Sequence, residues 1–399
     1  MKLEELFENT VFLLGAGASL NAGCLMSSGM LSKLSSEINN ISDDDKVYGD
    51  KKEGFRKLYE VILPALAYQA ELKKILSGNN EMYKPNIEDY ILILRKILNK
   101  DLIIPEPLVG SWSEKLLLLE IKFPNLCYQY LNFIYHCVIK WLTPINYDSA
   151  NELLQPVKKL LEETTDENFF IKFFTLNYDL VFEKVFNSSE AKPLNNGFAN
   201  NIWDERSFDT QQTKINLYKI HGSLDWYSEE DTTHSTPNYE VAFNALEPDE
   251  RKPHLILGYE TKLFSVDPFF TLLQKFIEKL KEANLVVIIG YSFFDAYLNN
   301  LLIKFLNSSE NKKLFIVDPS FSSNENPSEA FTNYLKIIQT DNSSLNIDNY
   351  ISLPSAKVSF FKTVEGIAGA KEFYAEFFAN KCEKLKAMYS ELAKKEEPF

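Results

Sequence analysis

Four apolar residues, Val11-Phe-Leu-Leu14, break directly into Gly15-Ala-Gly17-Ala-Ser19-Leu-Asn21-Ala-Gly23. No other stretch restricts the fold as much. The apolar run has the length of a strand buried on both faces, and the glycines allow a tight turn into a helix. At such a turn the free amides and dipole of the helix start favour phosphate oxygens, and small residues let a pyrophosphate come close. The pattern supplies Gly15 and Gly17, but Leu20 stands where G-x-G-x-x-G has its third glycine. Taken alone, the stretch also fits a plain strand-to-helix turn of any α/β protein.

Later stretches repeat the same grammar. Apolar runs at 169–175, 215–220, 285–289, 314–317 and 357–361 alternate with helical patterns at 179–186, 268–282, 295–306 and 327–338. Leu285-Val-Val-Ile-Ile289 is the clearest buried strand among them. This alternation predicts an α/β fold: a Rossmann-like parallel sheet covered by helices on both faces. A short strand is also expected at 224–227, and polar loops at 187–212, with room for a short hairpin, and at 228–239. From 54 to 163 the apolar spacing is helical throughout, with Pro105, Pro107, Pro124 and Pro144 as punctuation. Asn86-Ile-Glu88-Asp89 reads as a helix N-cap with an acidic first turn. Near the end, Tyr374, Phe378, Cys382, Leu385, Met388 and Leu392 recur at helical spacing, which predicts one long helix over 365–396. Its stripe must pack on the body of the protein or on a partner. The expected division is a Rossmann-like catalytic domain of 1–41 and 164–363, a helical insertion of 42–163, and a C-terminal helix of 364–399.

In an open parallel sheet, ligands bind beyond the carboxyl ends of the strands. Here those ends carry Gly15-Ala16-Gly17-Ala-Ser19 with Gly23, then Thr175-Leu-Asn177-Tyr-Asp179, His221-Gly-Ser223, Gly290-Tyr-Ser292, and Asp318. Each of these residues also has an ordinary structural use: Asp179 or Ser292 as an N-cap, His221 in a turn, Asp318 in an Asp-Pro turn. Five polar sets on one sheet edge point instead to a nucleotide site.

Composition narrows the class. At 45% hydrophobic and 25% charged, the chain is expected to be soluble and globular. A net charge of −14 disfavours direct nucleic-acid binding, because phosphate repulsion must be overcome. Cys24, Cys127, Cys137 and Cys382 form no zinc-knuckle spacing, so no metal is expected and the thiols read as buried in a reducing compartment. With neither a leader pattern nor an apolar run of membrane length, a cytoplasmic location and no membrane contact are expected.

The motifs at 15–19, 175–179, 221–222 and 290–292 resemble those of the sirtuin family, in the same order. There a G-A-G-A-S loop, a T-Q-N-x-D motif, a His-Gly and a G-x-S turn line an NAD site. Leu176 replaces the Gln, the Pro-Asp-Phe-Arg segment is absent, and no cysteine lies between Cys137 and Cys382, so the four-cysteine zinc ribbon is missing. The whole is similar to the divergent bacterial sirtuin-like proteins of antiphage defence, which hydrolyse NAD. That resemblance implies NAD as substrate, with Asn177 holding water or ribose, Asp179 binding the nicotinamide carboxamide, and His221 as the base. It further implies contacts from Ser19 and Ser292 to phosphate and from Asp318 to the adenosine ribose, with Gly15, Ala16, Gly17, Gly23, Thr175 and Gly290 shaping the pocket. A homo-oligomer, or a separate HerA-type hexameric ATPase as partner, is expected to control the activity. Two alternatives remain open from sequence: an NAD- or ADP-ribose-binding scaffold subunit with little turnover, and an NAD-dependent protein deacylase.

Overall fold

The computed structural model describes residues 2–77, 85–98, 111–165, 169–187, 193–209, 213–227, 255–256, 267–318, 358–360, 362–363, 366–367, 369–378 and 382–387. The expected helix at 327–338, the polar loop at 228–239 and the end of the C-terminal helix beyond 387 lie outside the described residues. By contacts the chain divides into two compact units. The first comprises 1–24, 143–255 and 264–399; the second comprises 25–142 and 256–263.

Among the described residues, the first unit is built on a sheet of seven strands, all parallel. In chain order its elements are α1 (Leu3–Glu8), β1 (Thr10–Leu14), a 3-10 turn (Ala16–Ala22), α7 (Tyr147–Glu163), β2 (Ile171–Thr175), α8 (Val181–Phe186) and β3 (Leu194–Asn195). There follow the hairpin β4 (Phe198–Ala199) and β5 (Ile202–Trp203), then β6 (Ile215–Lys219), α9 (Phe269–Glu282), β7 (Leu285–Ile289), α10 (Ala296–Ser308), β8 (Lys313–Val317) and β9 (Val358–Phe360). The small pair β10 (Lys362–Thr363) and β11 (Gly366–Ile367) precedes α11 (Ala370–Phe377). The numbers α2 to α6 belong to the second unit.

Strand order is β3-β6-β2-β1-β7-β8-β9, so β1 is central and the connectivity reverses across it. β1, β2, β6 and β7 are buried along their full length, as apolar strands covered on both faces should be. Aromatic side chains show how that cover is made. Phe12 and Phe173, paired in register, meet Phe7 of α1, Phe182 of α8 and Phe378. The next residue along β2, Phe174, points to the opposite face, where it stacks on Tyr218 and meets Phe276 of α9.

Three sequence expectations change here. Residues 187–212 contribute a seventh strand, β3, besides a hairpin, and 224–227 form a turn segment instead of a strand. The single helix expected over 365–396 is broken. α11 ends at Phe377, Cys382 takes a left-handed φ of 61°, and a separate helical stretch covers 383–387. The described part of its stripe packs within the unit: Tyr374, Phe378, Cys382 and Leu385 are all buried, with Phe378 in the aromatic layer over β1 and β2. Helical spacing alone could not show the kink, because the same apolar period continues through it.

The second unit is helical: α2 (Ser27–Asn40), α3 (Lys52–Ser77), α4 (Ile87–Leu98), α5 (Ser111–Lys122) and α6 (Leu126–Leu142). Phe55, Tyr130 and Phe133 form its core stack, and the Tyr90 and Tyr130 hydroxyls meet at 3.1 Å. Asn86 caps α4 as its sequence suggested. Its Oδ1 accepts from the amides of Glu88 and Asp89, while Asp89 Oδ2 accepts from the Asn86 amide at 2.9 Å.

Candidate active site

The carboxyl ends of β1 and β7 are locked by glycine. The Gly15 amide donates to the Ile289 carbonyl and the Gly17 amide to the Gly290 carbonyl, both at 2.9 Å. Gly290 has φ +60°, and a Cβ there would lie 2.4 Å from the Gly17 carbonyl carbon. A Cβ on Gly15 would sit 2.5 Å from the Gly290 carbonyl oxygen, and one on Gly17 2.7 Å from the Gly290 Cα. The close approach these glycines permit is therefore to another strand end, a partner the G-x-G pattern does not name. After them the chain winds through the 3-10 turn and closes on Gly23 in a left-handed conformation. Ala16 and Gly23 are exposed on it.

The end of β2 is tied to this loop. Asn177 Nδ2 donates to the Gly15 carbonyl at 2.9 Å and to Ser19 Oγ at 3.0 Å. The Asn177 amide donates to Thr175 Oγ1 at 3.1 Å. Gly15, Ser19, Thr175 and Asn177, read separately in the sequence, thus form one hydrogen-bonded set.

Asp179 lies beyond it, 7% exposed. Its Oδ1 accepts the Val181 amide at 3.1 Å. Burial, reinforced by the Asp179 charge, pushes the Cys24 thiol far above the ordinary thiol range, so Cys24 is an inert thiol. The Asp179 carbonyl accepts from Lys219 Nζ at 2.5 Å, and the same ammonium bonds Glu183 Oε1 at 2.9 Å. Lys219 and Glu183 are both buried. Burial raises Glu183 to about 7, with Asp225 adding to the rise and Lys219 opposing it. The sequence analysis missed this Lys219–Glu183 pair. An isolated Lys in an apolar strand run was its only trace.

His221 follows β6 and is 4% exposed. Its Nε2 lies 3.4 Å from Asp295 Oδ2. Asp295 is anchored in turn: its Oδ1 caps α10 by accepting the Tyr297 and Leu298 amides, and its own amide donates to Tyr291 Oη. Asn299 steadies this turn, accepting from the Tyr291 hydroxyl at 3.0 Å. A carboxylate so placed can orient an imidazole and stabilise its protonated form. Asp295 is the main residue of this candidate site that sequence reading missed. Its signal was an Asp at the start of an apolar helix just after a strand-ending Gly290-Tyr-Ser292. Ser292 itself is exposed, and Asp318, half-buried, follows β8, two strands from β1. Among the described residues no group of His, Cys, Asp and Glu could hold a metal ion, and all four cysteines are free.

Residues 171–338 match the sequence model of the SIR2-like domain. No curated protein matches the chain. Among solved structures it is similar to a SIR2 homologue–NAD complex, at 11% identity and a TM-score of 0.38 over 98% of this chain and 94% of that one. Similar too is a Sir2 homologue mutant in complex with 2′-O-acetyl ADP-ribose, at 12% identity and a TM-score of 0.35 over 86% and 97%. A Sir2 homologue mutant–ADP-ribose complex gives 12% and 0.35 over 89% and 99%. Asn177, Asp179, His221, Gly290 and Asp295 all lie within the residues that match the SIR2-like domain model.

Proposed function

We propose that the protein is an NAD hydrolase that releases nicotinamide and ADP-ribose. The observation that carries this reading is the buried His221–Asp295 pair on the sheet edge where the Asn177–Ser19 set also lies. A module that only bound a nucleotide would not need a base held by a carboxylate. The neighbouring solved proteins named for NAD and ADP-ribose agree with the substrate, and the SIR2-like domain agrees with the class.

In the reaction the bond between ribose C1′ and the nicotinamide nitrogen breaks, and its electron pair leaves with nicotinamide. Water adds to the oxocarbenium-like C1′, and its proton passes to a base. Nicotinamide leaves readily, so positioning and charge placement are the enzyme's main contributions. Asn177, fixed by Gly15 and Ser19, orients the ribose or the water. Asp179 takes the carboxamide, and His221, held by Asp295, accepts the proton. Ser19 and Ser292 are assigned to phosphate and Asp318 to the adenosine ribose. By resemblance, the reaction depletes cellular NAD during phage infection, under control of an assembly of copies or a separate hexameric ATPase.

The test is to incubate purified protein with NAD, with and without an acetylated peptide, and to follow nicotinamide and ADP-ribose by chromatography. Release without peptide is expected. His221→Ala and Asn177→Ala should each lower turnover by about 10²-fold or more while the protein stays folded. Near wild-type turnover in folded His221→Ala would refute the mechanism, and release only with peptide would favour a deacylase.

A further inference from the structure

Asn299 lies one turn into α10 and is buried, on the helix face that continues with the buried Leu302 and Leu306. Packing at such a position asks for another leucine, and an amide buried there must find partners for both its ends. It finds them in the turn that precedes its own helix. Nδ2 donates to the Phe293 carbonyl at 2.5 Å, and Oδ1 accepts from the Tyr291 hydroxyl at 3.0 Å. A carbonyl can only accept, so the amide has only this orientation.

What the amide holds is a strained turn. Phe293 is 0% exposed and has φ +56°, in the left-handed region that a bulky side chain rarely enters. Such strain persists only where the surroundings enforce it. Here the Asn299 amide grips the Phe293 carbonyl, and the Tyr291 and Phe293 rings meet with centroids 4.7 Å apart. Capping α10 does not call for this conformation, because Asp295 Oδ1 satisfies the Tyr297 and Leu298 amides by itself. The turn instead delivers Asp295. Its amide donates to Tyr291 Oη at 3.3 Å, and its Oδ2 lies 3.4 Å from His221 Nε2.

We propose that Asn299 is a positioning residue: by fastening Tyr291 and the left-handed Phe293 to α10, it sets the backbone of Asp295 so that the carboxylate meets His221. Its effect on turnover rests on the NAD reading above. The link from Asn299 to the His221–Asp295 pair rests on the hydrogen bonds alone.

Asn299→Leu removes both hydrogen bonds and suits the apolar helix face. Tyr291→Phe, which deletes the hydroxyl shared by Asn299 and Asp295, takes its place in every comparison should Asn299→Leu fail to fold. Asn299→Leu is expected to lower kcat for NAD about tenfold with KM little changed. In the His221→Ala background it should cost nothing further, because no imidazole remains to be aligned. An amide that served only the fold would cost the same in both backgrounds. An unchanged kcat, or a loss that persists without His221, overturns the proposal. A second readout needs no turnover. In spectra of protein labelled with 15N-histidine, the imidazole signal that His221→Ala removes and Asp295→Asn shifts should move the same way in Asn299→Leu. An unmoved signal overturns the link. A wild type that releases no nicotinamide sinks the hydrolase reading alone, and the imidazole signal then decides by itself.

Discussion

Glu183 gives the fold a pH dependence of unusual sign. Burial beside Asp225 raises it to about 7 despite Lys219, whereas an unfolded glutamate titrates near 4.3. Between those values the native state keeps a proton that the unfolded chain has lost, so stability falls as pH rises through the window. One proton gives a slope of at most about 1.4 kcal/mol per pH unit. Urea unfolding at pH 5 and pH 7 should show this loss in wild type, and Glu183→Gln should flatten it. Asp295→Asn tests the other acid. It keeps a cap on α10 but weakens support for a protonated His221, so kcat should fall about 10- to 100-fold with little change in KM. Residues at strand ends were legible from sequence because apolar runs point to them. Asp295 and Lys219 were not, since their partners lie at 221 and 183, far along the chain. Only folding brings those pairs together.

At the level of elements, the glycine lock between β1 and β7 makes a sharp prediction. Gly290→Ala would drive a Cβ into the Gly17 and Ala18 backbone from a left-handed φ, where nothing flexible can yield. A loss of about 2–4 kcal/mol is expected in chemical denaturation, larger than for Ala at exposed Gly23, whose nearest neighbour is 3.9 Å away. Strands with continuous apolar runs were readable because burial on both faces leaves no alternation to confuse them. β3, two residues long, was not: Leu194-Asn195 has no pattern of its own and is a strand only because β6 offers its edge. The C-terminal helix was overextended for the converse reason, a regular pattern interrupted by a left-handed Cys382.

For the whole molecule, the described part of the 365–396 stripe, Tyr374 to Leu385, is buried inside the first unit, which weakens one motive for assembly. Another remains in the second unit, where α5 exposes Leu117 (61%), Leu118 (57%) and Ile121 (68%). If copies assemble through this face, sedimentation at micromolar concentration will give a mass above the 46.0 kDa monomer. Leu118→Glu with Ile121→Glu should return it to monomer, and a wild type already monomeric would remove this route to control. The position of β1 carries a further consequence. Although it is made first, its neighbours in the sheet are β2 and β7, some 160 and 270 residues later. At elongation rates of roughly 5–20 residues per second, the glycine loop waits on the order of ten seconds or more for its seat. A truncated or still-growing chain therefore has no assembled site. The hydrolysis proposed above would then be absent for as long as the chain is still being made.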